Sequence, residues 1–221
     1  MIEKIKNLAF SLGVSDIGFA SCEPLAEYDG LNNSISIVIK LSDAVIDAIC
    51  DAPTHTYFHH YRTVNAFIDH VLLRIGLLLE QNGYRYVPIA ASQSINGTKG
   101  LLSHKMQAVK AGLGTIGKNA LFLSEKFGPR VRLGTIITDC DLSHGFCQKL
   151  PESKCAGCNA CVNACPAMAL SGLEFSFDNP ETPIIDALAC SKFMKEKFQH
   201  IGRGAVCGIC MKVCPYAGQM F

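Results

Sequence analysis

The chain has no tryptophan, and only 18% of its residues are charged, 20 Lys and Arg against 19 Asp and Glu. A net charge of +1 leaves no electrostatic footprint for a polyanion, so neither nucleic-acid binding in general nor tRNA in particular is expected. No apolar run reaches the roughly 18–20 residues that a membrane-spanning helix needs. The amino end, Met1-Ile-Glu-Lys-Ile-Lys, carries an acid and has neither a signal-peptide core nor a twin-arginine pair. These absences predict a cytoplasmic protein with no membrane segment. The polar bias of a disordered chain is missing too. Of 221 residues, 49% are hydrophobic, enough to bury a core in one domain with a small appendage.

Cysteine is what the chain has in excess. There are 12, about 5% of the residues and below the density of a disulfide scaffold. Eight of the 12 fall between Cys155 and Cys214. Cytosolic thiols stay reduced, so clustered cysteines without an export signal point to metal.

Periodicity divides the chain. Residues 2–12 place Ile2, Ile5, Leu8, Ala9 and Leu12 at helical spacing, with Gly13 as a cap. Asp16–Ala20 and Ser34–Lys40 read as strands, and a long helix runs from about Tyr57 to Gln81 until Asn82-Gly83 stops it. Tyr84–Ala90 reads as a further strand, placed at an edge by Pro88. A short helix is expected over 104–111. Residues 120–123 and 130–138 read as a hairpin around Phe127-Gly-Pro. Strands with segregated helices make this an α+β layer domain over 1–149. Residues 150–221 are rich in Cys, Pro and Ala and form a second module.

That module carries Cys155-Ala-Gly-Cys158-Asn-Ala-Cys161-Val-Asn-Ala-Cys165-Pro166, the C-x2-C-x2-C-x3-C-P run of bacterial-type [4Fe–4S] ferredoxins. Three thiolates at two-residue gaps wrap one cubane, and the fourth, past a helical turn, points to a second. A second run, Cys207-Gly-Ile-Cys210-Met-Lys-Val-Cys214-Pro215, is one cysteine short, and Cys190 is the only candidate lying between the runs. The swap rule then gives Cys155, Cys158, Cys161 and Cys214 to one cluster and Cys165, Cys190, Cys207 and Cys210 to the other. Zinc also takes CxxC pairs, but four cysteines within eleven residues before a proline favour iron and sulfur. Cys190 alone would read as a small core residue. Two cubanes predict single-electron transfer at low potential, which needs a low-potential donor of ferredoxin or flavodoxin type.

In the front domain the most distinctive stretch is His104-Lys-Met-Gln-Ala-Val-Lys-Ala-Gly-Leu-Gly-Thr-Ile-Gly-Lys-Asn119. Gly112, Gly114 and Gly117 would let backbone approach a flat or bulky ligand; a helix cap and tight turn is the plain alternative. Gly112-x-Gly-x-x-Gly117 is no dinucleotide fingerprint, because the helix precedes the glycines. Cys140, His144 and Cys147 make half a zinc site without a fourth ligand, and Cys22 and Cys50 read as small buried residues.

Ala111-Gly-Leu-Gly-Thr-Ile-Gly-Lys-Asn119, Leu133-Gly-Thr-Ile-Ile-Thr-Asp139 and the double-cluster pattern together resemble the epoxyqueuosine reductases, which are related to the reductive dehalogenases. The likeness extends to Ile17–Ala20, Glu23-Pro24, Tyr57–Arg62 and Cys190. It implies a nitroreductase-like α/β domain, a cobalamin held base-off between that domain and the ferredoxin module, and electrons passing from clusters to cobalt to substrate. It places Ala111, Gly112, Leu113, Gly114, Gly117, Lys118 and Asn119 at the corrinoid, and the His55, His59, His60, Tyr61 and Arg62 cluster near it. The chain departs from the family in two ways. It reads as a short member, with seven residues after Cys214 where the family continues into a helical-repeat domain. The family's proton-donating Asp falls, by ungapped counting, on Thr98, which cannot act as a general acid near neutral pH. Lys99 and His104 are the nearby substitutes. The expectation is an iron–sulfur, corrinoid-dependent reductase of a small molecule. The alternative is an electron carrier serving a partner such as a corrinoid protein.

Overall fold

The computed structural model describes residues 1–92, 95, 100–180, 182–202 and 206–216. In chain order the elements are α1 (Ile2–Ser11), β1 (Asp16–Ser21), β2 (Asn33–Lys40), α2 (Asp43–Asp47), α3 (His55–Gln81), β3 (Tyr86–Ile89), α4 (His104–Lys110), β4 (Gly114–Ile116), β5 (Phe122–Ser124) and β6 (Val131–Thr138). The cysteine-rich part adds α5 (Ala160–Asn163), α6 (Ala187–Gly202) and α7 (Ile209–Lys212). Among the described residues no helix is long and apolar enough to cross a membrane.

The chain forms two compact units. The first comprises Met1–Lys40, Val64–Gly114 and Arg132–Pro151; the second comprises Leu41–Thr63, Thr115–Val131 and Glu152–Phe221. This division departs from a simple split at 149/150, because residues 41–63 and 115–131 join the cysteine-rich segment. The reason is local packing. Ile49 and Tyr57 close on Gly208, and the turn after β4 bonds to the cysteine loops.

The first unit is built on a four-stranded sheet in the order β1-β2-β6-β3. β1 and β2 pair antiparallel with Asp16 opposite Val38, and β3 pairs antiparallel with β6, Tyr86 opposite Thr138. β3 therefore lies at an edge, where Pro88 leaves no central ladder bond unmade. The buried rows of α3 are Val64, Ile68, Val71, Leu72, Ile75 and Leu79, a helical stripe that forms the core with Ile35, Ile37 and Ile136. α4 is capped by Ser103, whose hydroxyl accepts the Met106 amide hydrogen at 3.4 Å. It ends on Gly112 at φ +75°, the left-handed conformation of a helix C-terminus. A Cβ on Gly112 would overlap the Cys147 sulfur.

The expected hairpin of residues 120–123 and 130–138 does not form. β5 pairs with β4 in a separate two-stranded sheet, while β6 enters the four-stranded one. Reciprocal amide–carbonyl bonds of 2.9 and 3.0 Å between Ser124 and Gly128 close the loop after β5. They end its pairing at a single bridge.

Candidate metal centre

The second unit gathers the eight cysteines from short elements. α5 carries Cys161, α6 carries Cys190 and α7 carries Cys210, and the others sit in the turns beside them. Helices this short persist through tertiary contacts rather than propensity. α5 packs on α7, and α2 packs on α7 as well.

The thiols sort into two sets by which of them lie within electrostatic reach of one another. Burial first, then Cys155 and Cys158, push the Cys161 thiol up. Burial, then Cys155, Cys161 and Cys158, push Cys214 up to about 11. In the other set, burial and Cys165 raise Cys190, and burial with Cys190 and Cys165 raises Cys207. Burial, then Cys207, Cys190, Cys165 and finally Cys161, raise Cys210 to about 12. The sets are Cys155, Cys158, Cys161, Cys214 and Cys165, Cys190, Cys207, Cys210, with Cys161 also acting on Cys210. All four cysteines of the second set line one apolar cavity, together with Asn119, Ile209 and Phe193.

The spacing within each set bears on the metal. Among the described residues no three His, Cys, Asp or Glu converge tightly enough to hold one ion. A tetrahedral zinc site requires four ligand atoms at about 2.3 Å from one centre. A [4Fe–4S] cubane takes each of four thiolates on a different iron, so its ligands need not meet at one point.

Three described residues other than glycine adopt positive φ: Ala120 at 58°, Ala156 at 33° and Met168 at 49°. Ala156 follows Cys155, Met168 lies three residues past Cys165, and Ala120 follows Asn119. Strained backbone in this sense gathers at sites whose geometry is imposed by function.

Lys118 and Asn119 attach to these loops. The Lys118 amide N–H donates to Cys155 Sγ at 3.4 Å, and its ammonium donates to the Ala156 carbonyl at 2.6 Å and to Asn159 Oδ1 at 3.4 Å. Glu174 lies 3.7 Å from the same ammonium, which is 8% exposed. Asn119 Nδ2 donates to the Cys210 carbonyl at 3.4 Å, and its Oδ1 accepts the Leu121 amide hydrogen at 3.1 Å. Asn159 and Glu174 had no signal in the sequence, because nothing in their neighbourhoods marks them as partners of a lysine so far away.

The other positions singled out in the sequence are accounted for within their own units. Ala111 and Leu113 are buried, and Gly112 is the helix terminator. Gly114 lies in β4, and a Cβ on Gly117 would stand 2.8 Å from Leu123. Neither Gly112 nor Gly117 shows an unfilled cradle, so their fit to a corrinoid finds no support in the local packing. His104 is held by both ring nitrogens. The Ala90 carbonyl, 3.2 Å away, can only accept, so Nε2 carries the proton and Nδ1 accepts from the Thr135 hydroxyl at 2.8 Å. Burial holds His104 below the usual histidine range. Thr98 and Lys99 lie outside the described residues. His60 Nε2 accepts the Ser42 amide hydrogen at 3.1 Å, and Arg62 stacks over Phe58 at 5.5 Å. Cys147 Sγ donates to the Lys149 carbonyl at 2.9 Å.

This site defines the second unit as the double-cluster kind of iron–sulfur module, and residues 154–217 match the family described as a 4Fe-4S double cluster binding domain. The chain is a homologue of the epoxyqueuosine reductases and the reductive dehalogenases. It is 34% identical over 151 residues to an epoxyqueuosine reductase of Listeria monocytogenes, covering 66% of this chain and 38% of that one. It is 28% identical over 219 residues to a tetrachloroethene reductive dehalogenase of Desulfitobacterium hafniense, covering 92% and 37% respectively. The fold matches the solved structure of a reductive dehalogenase described by its B12-dependent dehalogenation. There the TM-score is 0.77 at 20% identity, over 96% of this chain and 31% of that one. The chain thus spans under two-fifths of the length of these curated relatives.

Proposed function

We propose that this chain is an iron–sulfur reductase that takes low-potential electrons from a ferredoxin- or flavodoxin-type donor and passes them to a corrinoid and then to a small substrate. The observation that carries this reading is the partition of eight cysteines into two sets of four. On this reading Cys155, Cys158, Cys161 and Cys214 hold one [4Fe–4S] cluster, and Cys165, Cys190, Cys207 and Cys210 hold the other. Bound there, the clusters supply one-electron transfer at low potential. The protein's own contribution is to bury Cys155 and Cys161 and half-bury the other six thiols, to give Cys155 an amide hydrogen bond through Lys118 and to fix the loops through Ala156 and Cys210. These are the levers that set a cluster's potential.

The corrinoid is supported by the relatives rather than by local packing; when bound, a corrinoid supplies two-electron chemistry at cobalt. The sheet-bearing unit is read in the same way as a nitroreductase-like layer, which its α+β make-up supports, and the protein as cytoplasmic. Anaerobic reconstitution followed by cobalamin titration, with visible absorption and electron paramagnetic resonance, tests the reading. About eight iron per chain and a base-off cob(II)alamin signal are expected.

A second reading, an electron carrier serving a partner such as a corrinoid protein, is favoured by one observation. Lys118 and Asn119, expected at a corrinoid, bond instead to the cysteine loops. Full iron content with no cobalamin uptake would establish this reading and overturn the first.

A further inference from the structure

Lys118 and Asn119 are neighbours in sequence, yet each reaches the loop of a different cysteine set: Lys118 meets Cys155 and Ala156, and Asn119 meets Cys210. Only the first carries charge. The Lys118 ammonium, 8% exposed, is held on the Cys155–Cys158 loop by the 2.6 Å bond to Ala156. Among the described residues, the cavity of the second set is lined by apolar groups, the cysteines and the neutral Asn119, with no charged side chain.

We infer that Lys118 raises the reduction potential of the cluster held by Cys155, Cys158, Cys161 and Cys214 above that of its neighbour, so that electrons run from the Cys165 set to the Cys155 set. The inference rests on the ligand assignment proposed above. Adding one electron to a thiolate-ligated cluster adds one negative charge. A buried cation beside it stabilises the reduced state, with little solvent screening. In the transfer one electron leaves the Cys165 set, whose cluster goes from the +1 to the +2 core state. The same electron enters the Cys155 set, which goes from +2 to +1, and no bond or proton moves. Glu174, 3.7 Å from the ammonium and 40% exposed, opposes the lysine in part. The two side chains therefore act with opposite sign on one cluster.

The test is a mediated dithionite titration of the reconstituted full chain, followed by electron paramagnetic resonance, on wild type, Lys118→Met and Glu174→Gln. Wild type should show two one-electron waves. Lys118→Met should move only the higher wave downward. Its reduced-to-oxidised ratio at the wild-type midpoint should fall about tenfold, equivalent to about 59 mV for one electron. Glu174→Gln should move the same wave upward by a smaller amount. A residue that merely braced the loop would not give opposite signs. Shifts in the same direction, equal shifts of both waves, or two unmoved waves at full iron content would overturn the inference. Should Lys118→Met fail to assemble, the sign of the Glu174→Gln shift decides alone. Fewer than about eight iron in wild type would bring down the ligand assignment and this inference with it.

Discussion

Gly208 stands between Cys207 and Ile209 at φ +83°, and an added Cβ would lie 2.7 Å from Ile49 Cδ1 and 3.0 Å from Tyr57 Cε1. Gly208→Ala should therefore carry two separable costs. The left-handed conformation costs an alanine about 1–2 kcal/mol. Pressing a methyl into a filled contact costs about 1–3 kcal/mol more. Ile49 is fully buried and the tyrosine ring is the stiffer neighbour, so the sum is expected at about 3 kcal/mol. Because the residue sits inside the Cys207–Cys210 loop, the loss should also be felt as faster release of iron to a chelator.

Two comparisons make the reasoning refutable. Gly157 lies in the equivalent loop of the first run, and a Cβ there would meet nothing within 4 Å. Gly157→Ala should change stability by less than about 0.5 kcal/mol. Ile49→Val removes the Cδ1 atom that crowds Gly208, so the double variant Gly208→Ala/Ile49→Val should fall short of additivity by about 1 kcal/mol. The φ cost would remain. The assay is anaerobic urea unfolding of the reconstituted protein, with chelator-dependent loss of absorption. If Gly208→Ala matched Gly157→Ala, or if Ile49→Val added its full cost, the packing argument would be wrong.

Cys190→Ala should remove the signal of one cluster and leave the other, whereas Cys140→Ala should leave both; iron analysis with paramagnetic resonance separates the cases. His104 is held below its ordinary pKa by burial, against which the Ala90 hydrogen bond works in the opposite direction. The unfolded chain therefore binds the proton more readily, and stability intact above about pH 6.5 should be lost as pH falls below it. Comparing urea midpoints at about pH 7.5 and 6.0, His104→Gln should show a shallower loss than wild type. Arg130, whose guanidinium bonds Asp43 at 3.0 Å and Asp47 at 2.7 Å, should cost about 2 kcal/mol as Arg130→Met. Asp47→Asn should cost under about 1 kcal/mol, since that carboxylate is 59% exposed. Thermal unfolding ranks the pair.

What could be read from the residues was whatever is encoded locally. The α3 stripe and the stop at Gly83 follow from a repeat of one helical turn. The cysteine partition is expected from a spacing code and from counting ligands, which assign Cys190 to the second set. The failed hairpin shows the limit of that kind of reasoning. Both strands are present, but β5 pairs with β4 while β6 enters the four-stranded sheet, and pairing partners are not a property of either segment. The interleaving of 41–63 and 115–131 with the cysteine-rich part was invisible for the same reason.

Lys118 shows where residue type misleads even when position is right. A lysine and an asparagine after a glycine-rich turn suit a phosphate or amide ligand, and the resemblance placed them at one. Their partners, Ala156, Asn159 and Cys210, lie 38 to 91 residues further along. No window of sequence contains both ends of those bonds. The positive φ at Ala156 and Ala120 is equally silent, because alanine is not one of the residues, Gly, Asn and Asp, that signal a left-handed backbone. Yet these features are what distinguish one cluster's surroundings from the other's. The cysteine code specifies that two clusters can be held, and it sets no direction between them. A direction for electron flow needs an asymmetry, and the only buried cation bonded to a described cysteine loop is Lys118, which the resemblance places at a corrinoid.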